Sequence, residues 1–66
     1  MTDDELVNAI ANAMDVSEER VIEIAADRVG SRFRYNEFFK TGVLPFEIRG
    51  ELRNAKEILS YHITNR

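Results

Sequence analysis

Residues 10–25 read IANAMDVSEERVIEIA. Apolar residues recur at Ile10, Ala13 and Met14, pause, and resume at Val21, Ile24 and Ala25. That is the spacing of two amphipathic helices with one interruption. Asp15, Val16 and Ser17 form the interruption. A serine hydroxyl at this point takes up a free N–H of the following turn. Glu18 and Glu19 suit a first turn, where the helix dipole favours negative charge. The stretch therefore predicts two helices joined tightly, the first ending near Met14 and the second running from about 18 to 29. Val21, Ile24, Ala25 and Val29 form the stripe of the second, with Ile22 at its margin. Gly30 is placed to supply the left-handed residue beyond its end.

The pattern extends in both directions. Upstream, Thr2 and Glu5 stand three apart as a capping box, with Asp3 and Asp4 in the first turn and Leu6 on the apolar stripe. Downstream, Ile48, Leu52, Ala55, Leu59 and Ile63 share one helical face. Gly50 costs about 1 kcal/mol relative to alanine inside a helix, so the last helix is expected either to begin after it or to be approached closely there. Pro45 is an alternative first helical residue. Residues 31–48 admit two readings. YNEFFK followed by Thr41 and Gly42 reads as a short helix with a glycine stop, whereas SRFRY and PFEIR alternate as strands do. The expected fold is all-α, with three to four short helices; the alternative is α+β with a hairpin in 31–48. Leu6, Ile10, Met14, Val21, Ile24, Leu52 and Leu59 are the expected core.

Sixty-six residues predict a single small domain, 1–66. A chain of this size buries only about 60% of its unfolded surface, so its core is thin. With no cysteine and one histidine, disulfides are excluded and a zinc site nearly so. No cofactor or metal is expected. No apolar run approaches the roughly 18 residues of a membrane span. The start, MTDDEL, is acidic where a secretory leader is basic, so a cytoplasmic location and no membrane partner are expected. The net charge of −3 hides an asymmetry. Residues 1–27 hold eight acids and one base, residues 28–66 eight bases, four acids and all six aromatics.

Ile10 and Ala11 on a first helix, Met14 as its last buried residue, Asp15 and Val16 in the turn, Ser17 as cap, and Val21 and Ile24 packing back together resemble the helix-turn-helix family. The resemblance covers residues 10–25. It implies that the small Ala11 allows a close crossing, that Val16 plugs the corner and that Val21 faces Ala11. The family's turn residue is usually glycine and here is Asp15, which tolerates a left-handed conformation better than most residues. In that family the second helix enters the major groove of DNA. The exposed positions of this second helix would be Ser17, Glu18, Glu19 and Glu23, with Arg20 the lone base. DNA affinity rests largely on cationic contacts to phosphates, so these carboxylates argue against the family's usual function.

Glu19, Glu23 and Asp27 form an i, i+4, i+8 row. Such a row reads either as a solvated face, paired internally with Arg28, Arg32 or Arg34, or as a docking surface for a basic protein. Glu18, Glu19, Glu23 and Asp27 are the candidate protein-binding residues. RVGSRFRYNEFFK is the second constellation. Arg28, Arg32, Phe33, Arg34, Tyr35 and Lys40 are candidates for a nucleic-acid or protein interface, since cations with aromatic rings suit phosphate contact and base stacking. The alternative for this segment is that its phenylalanines are core. His62 reads as a helix-end residue, because no nucleophile is linked to it, and no phosphate loop or metal-ligand spacing is present.

The expected function is accordingly a non-enzymatic, protein-binding regulator or inhibitor using an acidic N-terminal helical face. In its extreme form that face occupies a nucleic-acid-binding groove on a partner with a basic surface. The alternatives are a nucleic-acid-binding transcriptional regulator using residues 28–40, and a homo-oligomeric structural module. A homodimer is expected from Phe38, Phe39 and Phe46, more aromatic surface than so small a core hides.

Overall fold

The computed structural model describes residues 2–64, with side chains as far as Leu59. Four helices follow one another: α1 (Asp3–Met14), α2 (Glu18–Arg28), α3 (Tyr35–Thr41) and α4 (Phe46–Thr64). Helices α1, α2 and α4 pack on one another, and α3 leans on α2. The described residues contain no strand, so the hairpin alternative for 31–48 is corrected. Residues 31–34 form a connection without regular structure in which Arg34 is extended and the Phe33 amide donates to Ser31 Oγ at 3.1 Å; Phe33 packs against the core while Arg32 and Arg34 are exposed. The alternation reports a short connection with one ring on the core and its neighbours exposed, with no strand beside it.

The helix ends form as the sequence predicts. Thr2 Oγ1 accepts from the Glu5 amide at 3.2 Å, and the Glu5 carboxylate accepts from the Thr2 amide at 3.3 Å. Ser17 Oγ accepts from the Arg20 amide at 3.2 Å. Asp15 ends α1 in the left-handed conformation, φ 57°. The next amide, Val16, donates back to the Ala11 carbonyl at 3.0 Å. The same closure ends α2: Gly30 takes φ 68° and the Ser31 amide donates to the Ala26 carbonyl at 2.8 Å. These bonds take up carbonyls that a helix end leaves free. At the end of α3, Gly42 takes φ 71° and donates to the Phe38 carbonyl at 2.7 Å.

The core comprises Leu6, Val7, Ile10, Ala11, Val21, Ile22, Ala25, Ala26, Phe38, Leu44, Ile48 and Leu52. Ala11 and Val21 are both buried, and Val16 packs against the same cluster. Three expectations need correction: Met14 is exposed, and Ile24 and Leu59 are only half-buried. Ile22, expected at the margin, is fully buried because α3 covers the second flank of α2. Phe38 is buried too, leaving Phe39 and Phe46 as the exposed aromatics of the expected dimer surface. Helix α4 runs straight through Gly50, and no atom lies within 4 Å of where its Cβ would sit. Neither a helix start nor a close approach explains this glycine. Pro45 lies just outside α4, and its carbonyl accepts from the Arg49 amide at 2.9 Å. The expectations placed on Tyr61, His62 and Ile63 lie outside the described side chains.

One tie has no precursor in the local pattern. Asp3 Oδ2 accepts from the Leu44 amide at 2.8 Å, and the Asp3 carboxylate takes both Nε and Nη2 of Arg49 at 2.9 Å. Arg49 Nη2 also donates to the Leu44 carbonyl at 3.1 Å. The hydrogen bonds from Arg49, and then from the Leu44 amide, hold the Asp3 carboxyl below its ordinary range against partial burial. This bidentate clamp pins the α3–α4 connection to the start of α1 and sets Leu44 into the core.

Candidate protein-binding surfaces

Burial of Val21, Ile22, Ala25 and Ala26 fixes how α2 is turned. Glu19, Arg20, Glu23 and Asp27 are consequently exposed. Glu18 is half-buried, and its Oε1 accepts from Asn8 Nδ2 on α1 at 3.1 Å. It serves as a tie between the first two helices more than as a free carboxylate. Arg20 sits 3.8 Å from Glu23, with both side chains more than half exposed. An exposed pair of this kind contributes about 0–1 kcal/mol. The row Glu19, Glu23, Asp27 thus lies along the outside of α2, with Arg20 as the base the row pairs with.

The internal pairing expected of Arg28 is corrected. Arg28 Nε lies 2.8 Å from Glu51 Oε1 and bridges α2 to α4 instead of meeting the acidic row. Arg32 and Arg34 are exposed and share an open cleft of about 590 Å³ with Glu23, Asp27, Phe33 and Tyr35. Phe33 and Tyr35 are half-buried against the core, and Lys40 is exposed on α3. Phe39 meets Tyr35 edge-on, with ring centroids 5.8 Å apart. Of the candidates in 28–40, Arg32, Phe33, Arg34 and Tyr35 line that one cleft, together with two carboxylates, whereas Arg28 and Lys40 do not line it. Phe38 is buried and Phe33 and Tyr35 are half-buried, and Arg32 and Arg34 line the cleft beside Glu23 and Asp27. Stacking of bases is favoured by open rings along a cationic groove; here the two cleft rings are half-buried and Glu23 and Asp27 line the same cleft.

A further surface was not anticipated. Met14, Ile24, Ile58 and Leu59 line an open groove of about 440 Å³ between the end of α1, the middle of α2 and the later turns of α4. Three of these four were expected in the core, so the groove collects the residues that helical periodicity assigned to burial and this fold leaves open. The signal was legible only as a mismatch of lengths. Helix α4 has 19 residues against 12 for α1 and 11 for α2, so its stripe outruns the helices that cover it.

Among the described residues, no His, Cys, Asp and Glu side chains gather as a metal site, and no helix is long and apolar enough to cross a membrane. No protein-family model, curated protein or solved structure matches this chain.

Proposed function

We propose that this protein is a non-enzymatic, protein-binding regulator or inhibitor that sets the acidic outer face of α2 against a basic surface on a partner. One observation carries the reading. The face a helix-turn-helix pair would turn to DNA bears exposed Glu19, Glu23 and Asp27, and its one base, Arg20, leans on Glu23. Such a face repels phosphates and attracts cationic protein surfaces, including those that themselves bind nucleic acid. Its site is cytoplasmic. Nucleic-acid binding through residues 28–40 is the weaker reading, because Arg28 is engaged by Glu51 and Arg32 and Arg34 share their cleft with Glu23 and Asp27.

The test is a charge reversal of two exposed positions. Glu19→Lys/Glu23→Lys should lose salt-sensitive capture of protein partners from host lysate while melting within a few degrees of the parent chain. Attraction between exposed charges is screened over about 8 Å at physiological ionic strength, so capture by the parent chain should fall as salt rises. Retention of the parent chain on DNA-cellulose with a steep salt slope, or capture unchanged by the reversal, would overturn the reading.

A further inference from the structure

We infer that the cleft beside the end of α2 selects among basic partners: it takes an extended protein segment in which acidic and basic side chains alternate, and turns away a uniformly cationic one. The inference rests on the acidic-face reading above, because Glu23 and Asp27 belong both to that face and to the cleft.

The first observation is charge. Helix α2 supplies Glu23 and Asp27 to the cleft, and the connection after it supplies Arg32 and Arg34. The two signs thus come from different elements. An occupant of one sign is repelled by half of what it meets: a polyanion by Glu23 and Asp27, a uniformly cationic surface by Arg32 and Arg34. Like charges brought together are what exclude a wrong partner. An occupant carrying both signs meets no such penalty.

The second is that most of these charges are uncommitted. Among the described residues, Asp27, Arg32 and Arg34 have no opposite charge within 4.0 Å, and Glu23 is approached only by Arg20, at 3.8 Å. The rim charges of the apolar groove, Arg28 and Glu51, are by contrast paired with each other at 2.8 Å. It is the cleft that leaves charge of both signs for a partner.

The third is spacing. Glu23 and Asp27 stand four residues apart on a helix, about 6 Å along its axis. Arg32 and Arg34 stand two apart on the chain, no more than about 7 Å. In an extended segment, side chains at i and i+2 share one side at about 6.6–6.8 Å, and i+1 takes the other. Alternating acid and base therefore lays cations along the α2 carboxylates and anions along the arginines at matching intervals. Phe33 and Tyr35, half-buried, also line the cleft. Their rings offer the partner's cations an aromatic surface and the stems of long charged side chains an apolar seat.

Fluorescence anisotropy with the full chain at low salt tests the proposal, using three labelled peptides of equal length: alternating Lys-Glu, a block peptide with all lysines before all glutamates, and oligolysine. The parent chain should bind the alternating peptide about tenfold more tightly than either other. Asp27→Lys should weaken that binding. Arg32→Glu/Arg34→Glu should reverse the preference in favour of oligolysine. Both arginines are exposed, so this variant should keep its helical circular dichroism; if it unfolds, Arg32→Gln/Arg34→Gln should erase the preference instead. Glu19→Lys, outside the cleft, should leave the preference intact. Equal binding of the alternating and block peptides, a parent chain that prefers oligolysine or ignores the alternating peptide, or displacement of that peptide by an equal concentration of free Lys-Glu dipeptide would each overturn the cleft's role. The acidic-face reading fails separately, by lysate capture that Glu19→Lys/Glu23→Lys leaves unchanged.

Discussion

The two ends of α4 carry the same apolar periodicity and meet different fates. At the N-terminal end, Ile48 and Leu52 are buried, and Arg49 is clamped by Asp3 of α1 while bracing the Leu44 carbonyl. At the other end, Ala55 and Leu59 are half-buried, Ile58 is exposed, and the surrounding space is a groove. The stripe is continuous; what changes is the supply of covering helices. Periodicity therefore states that a face is to be buried without stating what buries it. In a chain of 66 residues that distinction separates buried core from open groove.

The sharpest way to break this comparison is to shorten one side chain at each end. Ile48→Ala should cost roughly 2–5 kcal/mol, the range for emptying a packed aliphatic site, enough to unfold much of so small a domain. Ile58→Ala, measured by urea denaturation at a concentration where the chain is monomeric, should cost less than about 1 kcal/mol, as exposed positions do. Equal losses would show that the two ends of α4 are packed alike.

Acid acts on the closed end through Asp3, and on the start of α1 through Glu5. Asp3 is held below its ordinary 3.8 by Arg49 and by the Leu44 amide, and Glu5 below its ordinary 4.5 by the hydroxyl and then the amide of Thr2. A carboxylate with a lowered folded-state pKa contributes stability that is fully present above its unfolded value and lost as pH falls through the folded one. Stability should therefore be level near neutrality and fall as pH drops below about 4.5, where the unfolded chain begins to bind protons that the folded carboxylates still refuse. Asp3→Asn should lower the melting temperature at neutral pH and flatten part of that acid slope. A slope identical to the parent's would remove the clamp from the account.

The smallest effect lies at the junction of the two ends. Gly50 is exposed, helical and surrounded by open space, so Gly50→Ala should stabilise by roughly 0.4–1 kcal/mol by restricting the unfolded chain. A destabilised variant would show that the glycine is needed for a bend or for an approach by a partner.

Features set within a few residues were legible in the sequence. The capping box at Thr2, the left-handed Asp15, the Ser17 cap and the glycine stops at 30 and 42 all depend on neighbours within one helical turn. So does the helix-turn-helix-like pair they delimit. What depended on distant residues was not legible. Ile22 looked marginal because nothing near it announces that α3 covers its flank. Val7 went unnamed for the same reason, since α1 is pressed by both α2 and α4. The connection 31–34 imitated a strand because a half-buried Phe33 and exposed arginines alternate with or without a partner strand. Of the candidate site residues, Glu19, Glu23 and Asp27 are exposed as expected, whereas Glu18 is drawn off by Asn8 and Arg28 by Glu51. Both diversions come from polar side chains on other helices, whose reach no spacing along the chain records.

The clamp between Asp3 and Arg49 also bears on how quickly the molecule comes apart. Its partners are separated by 46 residues, whereas the α1–α2 pair closes across a turn of three. Bringing distant chain segments together carries a closure entropy that grows with the length of the loop, so contacts of the local pair are the earlier to form. An interaction made only after the folding barrier leaves the folding rate nearly untouched and retards escape from the native state. A carboxylate at the start of α1 that closed after that barrier would act as a latch on the lifetime of the fold, and Asp3→Asn should then speed unfolding while leaving the folding rate nearly unchanged.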